Sequence, residues 1–423
     1  MAKPAPNANR LPDRGALIDR SKPVSFKLNG ETLTGYEGDT LASALIANGR
    51  RFIGRSFKYH RPRGFVASGV EEPNGLFGVG EGGAFEPNQR GTMVELHPGL
   101  TARTQNHFPT LEYDLGSMNA LMSRMFPAGF YYKTFIRPRR AWKHVFEPII
   151  RQAAGLGKAP TQPDDATYEQ LYYRCDVLVA GGGPAGLMAA KAAAQAGARV
   201  LLVEQSSWLG GRALVDDAEV DGRPIAEWVR DEIAALRAMP NVTIRTRTQA
   251  SALTEHNYVL CAERVADHDP AQVAAGAPRQ RLWRVRAGRV VVAAGAIERP
   301  LAFACNDVPG VMLASAVRDY VTLYGVKPGD RVVIYANNDD AYRTAVTLRE
   351  AGVEVPAILD ARDGSNGDLP QRARQLGLRM LFGAGVARAL GGKQVEAVEV
   401  AELRSSGRVG AMETVACDCV AMS

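Results

Sequence analysis

The sequence predicts an α/β protein in which two β-α-β units, each of the kind that can hold a dinucleotide, follow a smaller hairpin-and-helix unit. Three observations carry that prediction. Residues Cys175 to Glu204 read CDVLVAGGGPAGLMAAKAAAQAGARVLLVE, residues Gly329–Asp360 repeat the strand–helix–strand order, and Val24–Tyr36 alternates apolar and polar residues about an Asn29-Gly30 turn.

In the first unit an apolar strand, Val177–Ala180, runs into Gly181-x-Gly183-x-x-Gly186. Gly181 allows a tight turn, Gly183 lets backbone N–H groups approach a pyrophosphate, and Gly186 lets the next helix pack close to the strand. The helix N-terminus then turns its positive dipole end toward phosphate. The alanine-rich helix breaks at Gly197, and a second apolar strand, Val200–Val203, ends on Glu204. A carboxylate there can take the ribose hydroxyls of adenosine. A bare glycine triplet is weak evidence and fits a turn that binds nothing. Strand, helix, strand and terminal acid at this spacing specify a Rossmann-like dinucleotide site. The fingerprint reads only the adenosine diphosphate half, common to NAD and FAD, and the residues alone favour FAD.

Downstream, Gly210-Gly211-Arg212 follows the second strand, Asn241–Thr246 and Val285–Arg289 frame a β-rich excursion, and Arg289–Pro300 (RVVVAAGAIERP) reads as a strand and a glycine turn. The second unit has a strand at Arg331–Tyr335, a helix from near Asp339, and a strand Val353–Leu359 ending at Asp360. Its turn, Ala336-Asn337-Asn338-Asp339-Asp340, lacks glycine and carries two carboxylates. Backbone cannot come as close to a pyrophosphate there, and the acids repel phosphate, so only the first unit is expected to bind a dinucleotide.

Ahead of both, Asp39 or Thr40 caps a helix whose residues Leu41, Ala44 and Leu45 share a face, and Asn48-Gly49 ends it. With the hairpin and a strand expected at Thr92–Leu96, residues 24–105 read as a small β-grasp unit. Residues 1–23 read as a polar arm. Residues 106–170 form a connecting segment rich in large apolar residues, among them Met118, Leu121, Met122, Met125, Phe126, Phe130, Phe135, Trp142 and Phe146. Short helices there either cover the chain's own core, meet another subunit, or lie at a membrane surface. The first dinucleotide domain is expected over 171–325, continued by 401–423, with a second domain inserted at 326–400.

The 423 residues suggest about two or three domains. A chain 46% hydrophobic and 23% charged is globular in composition, and a formal charge of +6 is too modest to argue for nucleic acid. Five scattered cysteines suggest no disulfide framework, and the first residues hold no apolar signal core. No apolar run reaches the ~20 residues of a membrane helix, so a cytoplasmic setting is expected. The final apolar run, Val415–Met422, reads as an uncapped strand, so the sequence is expected to be truncated.

Gly181–Gly186 with Glu204, Gly210-Gly211, and Ala293-Ala294-Gly295 with Pro300 stand in the order of the two-dinucleotide-domain flavoproteins of the glutathione-reductase type, in which the second domain is nested in the first. Phe26–Arg63 (FKLNGETLTGYEGDTLASALIANGRRFIGRSFKYHRPR), Glu71-Glu72-Pro73-Asn74, Gly129–Lys133 (GFYYK) and Asn306–Gly310 (NDVPG) resemble the alpha-subunit family of the heterotetrameric sarcosine oxidases. That resemblance covers nearly the whole chain. It implies that the N-terminal unit is ferredoxin-like without a cluster, in keeping with the absence of any cysteine before Cys175.

It also implies NAD in the first site, FAD in a beta subunit that oxidises sarcosine, FMN shared at the interface with that subunit, gamma and delta partners, and tetrahydrofolate in a C-terminal half beyond this sequence. Neither nucleic acid nor membrane is expected as a partner. By that likeness Gly181, Gly183, Pro184, Ala185 and Gly186 form the phosphate loop. Glu204 and Gln205 meet the adenosine ribose. Gly210, Gly211, Arg212 and Ala250 make further contacts, Ala294-Gly295 closes the site from below, and Ala421 returns to it. Subunits of proline, hydroxyproline or opine dehydrogenase complexes are similar and remain an alternative. A stand-alone FAD-dependent pyridine-nucleotide oxidoreductase and a scaffold without redox role are further ones.

No catalytic acid, base or nucleophile can be assigned. Paired redox cysteines are missing, Cys417 and Cys419 share a strand face and suit core packing, and the six histidines show no metal-ligand spacing. No metal site is expected. Residues 50–63 carry Arg50, Arg51, Arg55, Lys58, Arg61 and Arg63 among aromatics. They read as a solvated or subunit-facing loop, as a holder of a flavin phosphate, or, with less support, as a nucleic-acid surface.

Overall fold

A computed structural model of the chain describes residues 5–121, 123, 129, 133, 137–403 and 409–423. The chain divides into two compact units, one of residues 1–163 with 298–423 and one of residues 164–297.

In the first of these, β1 (Asp19–Leu28) and β2 (Glu31–Glu37) form the expected antiparallel hairpin about Asn29-Gly30, both residues at positive φ. Helix α1 (Leu41–Ala47) is wholly buried and opens on a capping box between Thr40 and Ser43. With β3 (Leu76–Val79), β4 (Glu86–Arg90) and β5 (Thr101–Thr104) the sheet order is β2-β1-β5-β3-β4, with β1 and β5 parallel. The strand expected at Thr92–Leu96 does not form. Its backbone is spent on α1 instead: the Leu41 and Ala42 N–H groups donate to the Val94 and Gly91 carbonyls, and Leu96 N–H donates to Asp39 O. Helix N-termini need such acceptors. The N-terminal arm is also more fixed than a polar tail. Arg10 pairs with buried Asp39 at 2.8 Å and donates to Tyr324 O.

The second unit is built on β6 (Tyr168–Ala180), α2 (Pro184–Gln195), β7 (Val200–Val203), α3 (Ile225–Ala238), β8 (Val242–Arg245), β9 (Thr248–Thr254), β10 (Tyr258–Arg264) and β11 (Gln280–Val292). The sheet order is β8-β7-β6-β11-β10-β9, parallel through β11 and antiparallel beyond it. Alternation puts Val179, Val200 and Leu202 against α2 and α3, and Leu178, Leu201 and Val203 against Val259, Trp283 and Val285 on the other face.

The chain then re-enters the first unit through β12 (Val311–Leu313), α4 (Ala314–Tyr324), β13 (Val332–Ala336), α5 (Asp340–Glu350), β14 (Ile358–Asp360), α6 (Asp368–Gln375) and β15 (Met380–Phe382). An antiparallel sheet of β16 (Ala384–Gly391), β17 (Val395–Leu403) and β18 (Val409–Ala416) follows, and then β19 (Cys419–Met422).

The expected return of 401–423 to the first dinucleotide domain is corrected here. β19 inserts between β12 and β13 in an all-parallel sheet of order β12-β19-β13-β14-β15, with Ala421 opposite Ile334 and Met312. The short apolar strand fits that gap because all four of its residues are buried on both faces. For the same reason 298–325, placed with the first domain from the sequence, belongs to this unit.

In the connecting segment Met122, Met125, Phe126, Phe130, Tyr131, Tyr132, Phe135 and Ile136 lie outside the described residues. Of those described there, Leu115, Met118, Leu121, Val145 and Ile149 are exposed, Trp142, Phe146 and Ile150 are half-buried, and Leu111 is buried. Among the described residues no helix is long and apolar enough to cross a membrane.

Candidate functional site

The glycine loop lies between β6 and α2, and each glycine has its own reason. Gly181 has φ of 111°, and a side chain on it would overlap the Ala293 carbonyl. Ala293 N–H donates to Ala180 O, so residues 293–294 lie directly under the turn. A side chain on Gly186 would overlap the Gly181 carbonyl, so the first turn of α2 rests on the loop backbone. Gly183 differs: it is the N-cap of α2, and a methyl group there meets nothing within 4 Å. That open space lies at the mouth of a twelve-residue helix whose first N–H groups have no side-chain cap. Such a helix end favours an anion.

Glu204 follows β7 and closes the loop's far side. Its Oε2 accepts the Gly182 N–H at 2.7 Å and its Oε1 accepts the Ser206 N–H at 2.8 Å. Two amides thus fix the carboxylate while leaving each oxygen a second lone pair for a hydroxyl donor. Thr248 N–H donates to Glu204 O, which brings the start of β9, and Ala250 two residues on, to this edge. The Gln205 carbonyl accepts from Arg264 at 3.2 Å. Gly210 N–H donates to Gly182 O, and a methyl on Gly211 would stand 3.1 Å from Gly183 Cα. Arg212 pairs with Asp216 at 3.1 Å with its side chain 41% exposed.

Of the residues expected at this site, Gly181, Gly183, Pro184, Ala185, Gly186, Glu204, Gly210 and Gly211 converge around one loop, with Gln205, Arg212, Ala250, Ala294 and Gly295 near its edges. Ala421 sits in β19, within the other unit. Sequence reasoning missed Gly182 and Ser206, whose N–H groups hold the acid. Their only signal is position, one inside the glycine motif and one two residues after the acid.

The second β-α-β turn is filled by its own side chains. Arg362 bridges Asp339 and Asp360 at 2.7 Å each, and Ser365 Oγ donates to Asp339. Asn338 Oδ1 accepts the Ala341 N–H at the start of α5, and Asp340 pairs with buried Arg318 at 2.9 Å. A phosphate would have to displace these groups.

The basic segment is also largely committed internally. Arg50 pairs with Glu31 at 2.6 Å, Arg51 with Asp418 at 3.0 Å and Arg63 with Asp307 at 2.7 Å, while Arg55 donates to the Leu111 and His60 carbonyls. Arg61 keeps its side chain 59% exposed beside the Tyr59 ring. Arg55, Phe57, Arg63, Asn74 and Gln105 help line a cavity of about 300 Å3. Burial pushes the thiols of Cys175 and Cys417 up to about 11 and about 12, so neither is a ready thiolate. Among the described residues no three His, Cys, Asp or Glu side chains converge as a metal would need.

Comparison with known proteins agrees with this architecture. Residues 21–107 match a family described as a 2Fe-2S iron-sulfur cluster binding domain, and residues 176–255 match one described as FAD dependent oxidoreductase. The chain is 48% identical over 98% of its length to the sarcosine oxidase subunit alpha of Rhizobium meliloti (strain 1021), covering 41% of that protein. It is 34% identical over 96% of its length to the subunit of the same name from Corynebacterium sp. (strain P-1), covering 38%. It therefore spans about two fifths of these relatives. Among solved structures, L-proline dehydrogenase from P. horikoshii matches with a TM-score of 0.59 at 19% identity, over 96% of this chain and 60% of that one, a likeness of fold. Mixed α/β throughout, with a ferredoxin-like unit and an FAD/NAD-oxidoreductase unit, the chain belongs to the family of sarcosine oxidase alpha subunits.

Proposed function

We propose that this chain is the coenzyme-holding part of the alpha subunit of a multi-subunit cytoplasmic sarcosine oxidase, and that it binds one NAD at the Gly181–Gly186 turn. The observation that carries the reading is the contrast between the two β-α-β turns. One leaves an uncapped helix end open beside Gly183, and the other is closed by Asp339, Arg362 and Asp360. The residues present fit an adenosine diphosphate group. N–H groups at Ala185 and Gly186 would meet the pyrophosphate, Glu204 the ribose, and Gln205, Arg212 and Ala250 the adenosine rim.

A bound NAD would supply hydride chemistry in general; here its role is proposed to be structural. Amine oxidation belongs to the beta subunit with its FAD, with FMN at the interface and gamma and delta subunits completing the assembly. Tetrahydrofolate would bind a part of the subunit outside this sequence. The whole complex would convert sarcosine, oxygen and water to glycine, hydrogen peroxide and formaldehyde, or pass the one-carbon unit to tetrahydrofolate. Exposed Leu115, Met118, Leu121, Val145 and Ile149, with exposed Arg61, support a partner-facing surface on the 1–163 segment. The finer architecture proposed is a cluster-free β-grasp domain followed by dinucleotide domains of the glutathione-reductase type.

The match of residues 176–255 to FAD-dependent enzymes favours a second reading, FAD at the same turn. Heat-denaturing the purified chain and identifying the released nucleotide separates the two. A colourless protein releasing NAD supports the proposal, whereas a yellow protein that oxidises NADH unaided refutes it.

A further inference from the structure

The family matched by residues 21–107 binds a two-iron cluster, yet no cysteine occurs among these residues. Such a cluster takes four protein ligands, nearly all thiolates. The residues present therefore do not fit it, and the structure indicates what stands in its place. In plant-type two-iron proteins three of the ligands form a C-x4-C-x2-C run. Residues 64–75 form a loop whose backbone N–H groups converge on one point, as amides do around an anionic group. Val66 and Ala67 N–H both donate to Glu72 Oε2 at 2.8 Å, while Asn74 and Gly75 N–H donate to Glu72 Oε1 at 2.7 and 2.9 Å. Counting that run from Val66, the first of these amides, lands on Glu71 and on Asn74, itself a nest member. Glu72 is 1% exposed. Burial pushes its carboxyl above the ordinary value, and the four N–H donors pull against that shift.

We propose that Glu72 is the internal replacement for the cluster: a carboxylate of the chain itself fills the amide nest, so that the loop is ordered without metal and the domain carries no electrons. The outer side of the same loop is a docking edge. Val66 O accepts the Leu313 N–H at 2.8 Å, Ala67 O accepts the Tyr320 hydroxyl at 3.0 Å, and Ser68 Oγ donates to Asp319 at 2.7 Å. Glu72 is thus a positioning residue, shaping from inside a loop that α4 reads from outside. This inference is independent of which coenzyme the other unit holds.

The test is thermal unfolding of the full chain carrying Glu72→Ala or Glu71→Ala, in sodium formate and in sodium chloride at equal ionic strength. Glu72→Ala is expected to lower Tm by about 5 °C or more, and Glu71→Ala by less than about 2 °C. Formate, small enough to enter the nest, is expected to restore at least half of the loss where chloride does not. A loss under about 2 °C for Glu72→Ala, or equal recovery in both salts, overturns the proposal. Should the alanine variant not fold, Glu72→Gln is read by amide exchange. The pair of nest amides facing its NH2 group is expected to exchange at least about tenfold faster with α1 unchanged, and unchanged exchange is the contrary result. Stoichiometric iron and sulfide in the purified chain would also overturn the proposal.

Discussion

Replacing Gly183 with alanine is expected to weaken nucleotide binding while sparing the fold, and replacing Gly186 with alanine is expected to damage the fold first. The magnitudes come from the loop. At Gly183 φ is −75° and ψ is 180°, open to any residue, and the added methyl meets nothing within 4 Å. Stability should move by no more than about 0.5 kcal/mol. The same methyl stands where phosphate oxygens must approach the α2 amides. Losing one charge-assisted hydrogen bond, about 1.5–3 kcal/mol, weakens binding about 10- to 150-fold. At Gly186 the methyl overlaps the Gly181 carbonyl, which is backbone and cannot swing aside. Overpacking of that kind costs about 1–3 kcal/mol, or roughly 3–10 °C in Tm. Calorimetric titration of nucleotide-stripped protein with NAD, beside scanning fluorimetry, reads both quantities. A Gly183→Ala protein that binds NAD normally, or a Gly186→Ala protein as stable as the parent, refutes the reasoning.

Glu204→Gln should weaken NAD binding by about tenfold or more and lower Tm slightly, because the amide NH2 must face either the Gly182 or the Ser206 N–H; unchanged affinity would remove the acid from the site. Arg362→Ala should cost about 1–3 kcal/mol in chemical denaturation by stripping buried Asp360 of its cation, yet leave the nucleotide content unchanged, since the turn it closes is not the binding one. Asp418→Asn tests the acid limb. Burial raises the Asp418 carboxyl, but Arg51 and the Arg331 and Asp330 N–H groups outweigh this and hold it below its ordinary 3.8. Its stabilisation is therefore present above about pH 4 and lost as pH falls through the depressed value. The variant should lose less stability than the parent between about pH 4 and pH 2, and parallel pH profiles would contradict the assignment.

The first dinucleotide turn was legible because its requirements are local. A glycine under a helix and an acid at a strand end are each demanded by residues within thirty positions, and the positive-φ glycine is announced by the turn itself although the Ala293 carbonyl beneath it comes from far along the chain. The closed second turn was half legible: its missing glycines were visible, but Arg362, which locks Asp339 to Asp360, follows the next strand in no recognised motif and gave no sign. The seat of β19 was not legible because a four-residue buried strand carries no partner signature, and its slot between β12 and β13 exists only once the sheet is assembled. Thr92–Leu96 failed because its alternation resembles a strand, whereas its carbonyls serve as acceptors for α1. Glu72 was read only as part of a family motif. The four amides that give it meaning come from both ends of one loop and meet only in the folded chain.

The most direct measurement is a crystal structure of the protein as purified, read for nucleotide density in both β-α-β turns. One NAD is expected, its pyrophosphate over Gly183 and its ribose on Glu204, with side chains alone filling the turn at Asn337–Asp340. A nucleotide bound among those asparagines and aspartates while the glycine turn holds only solvent would contradict it.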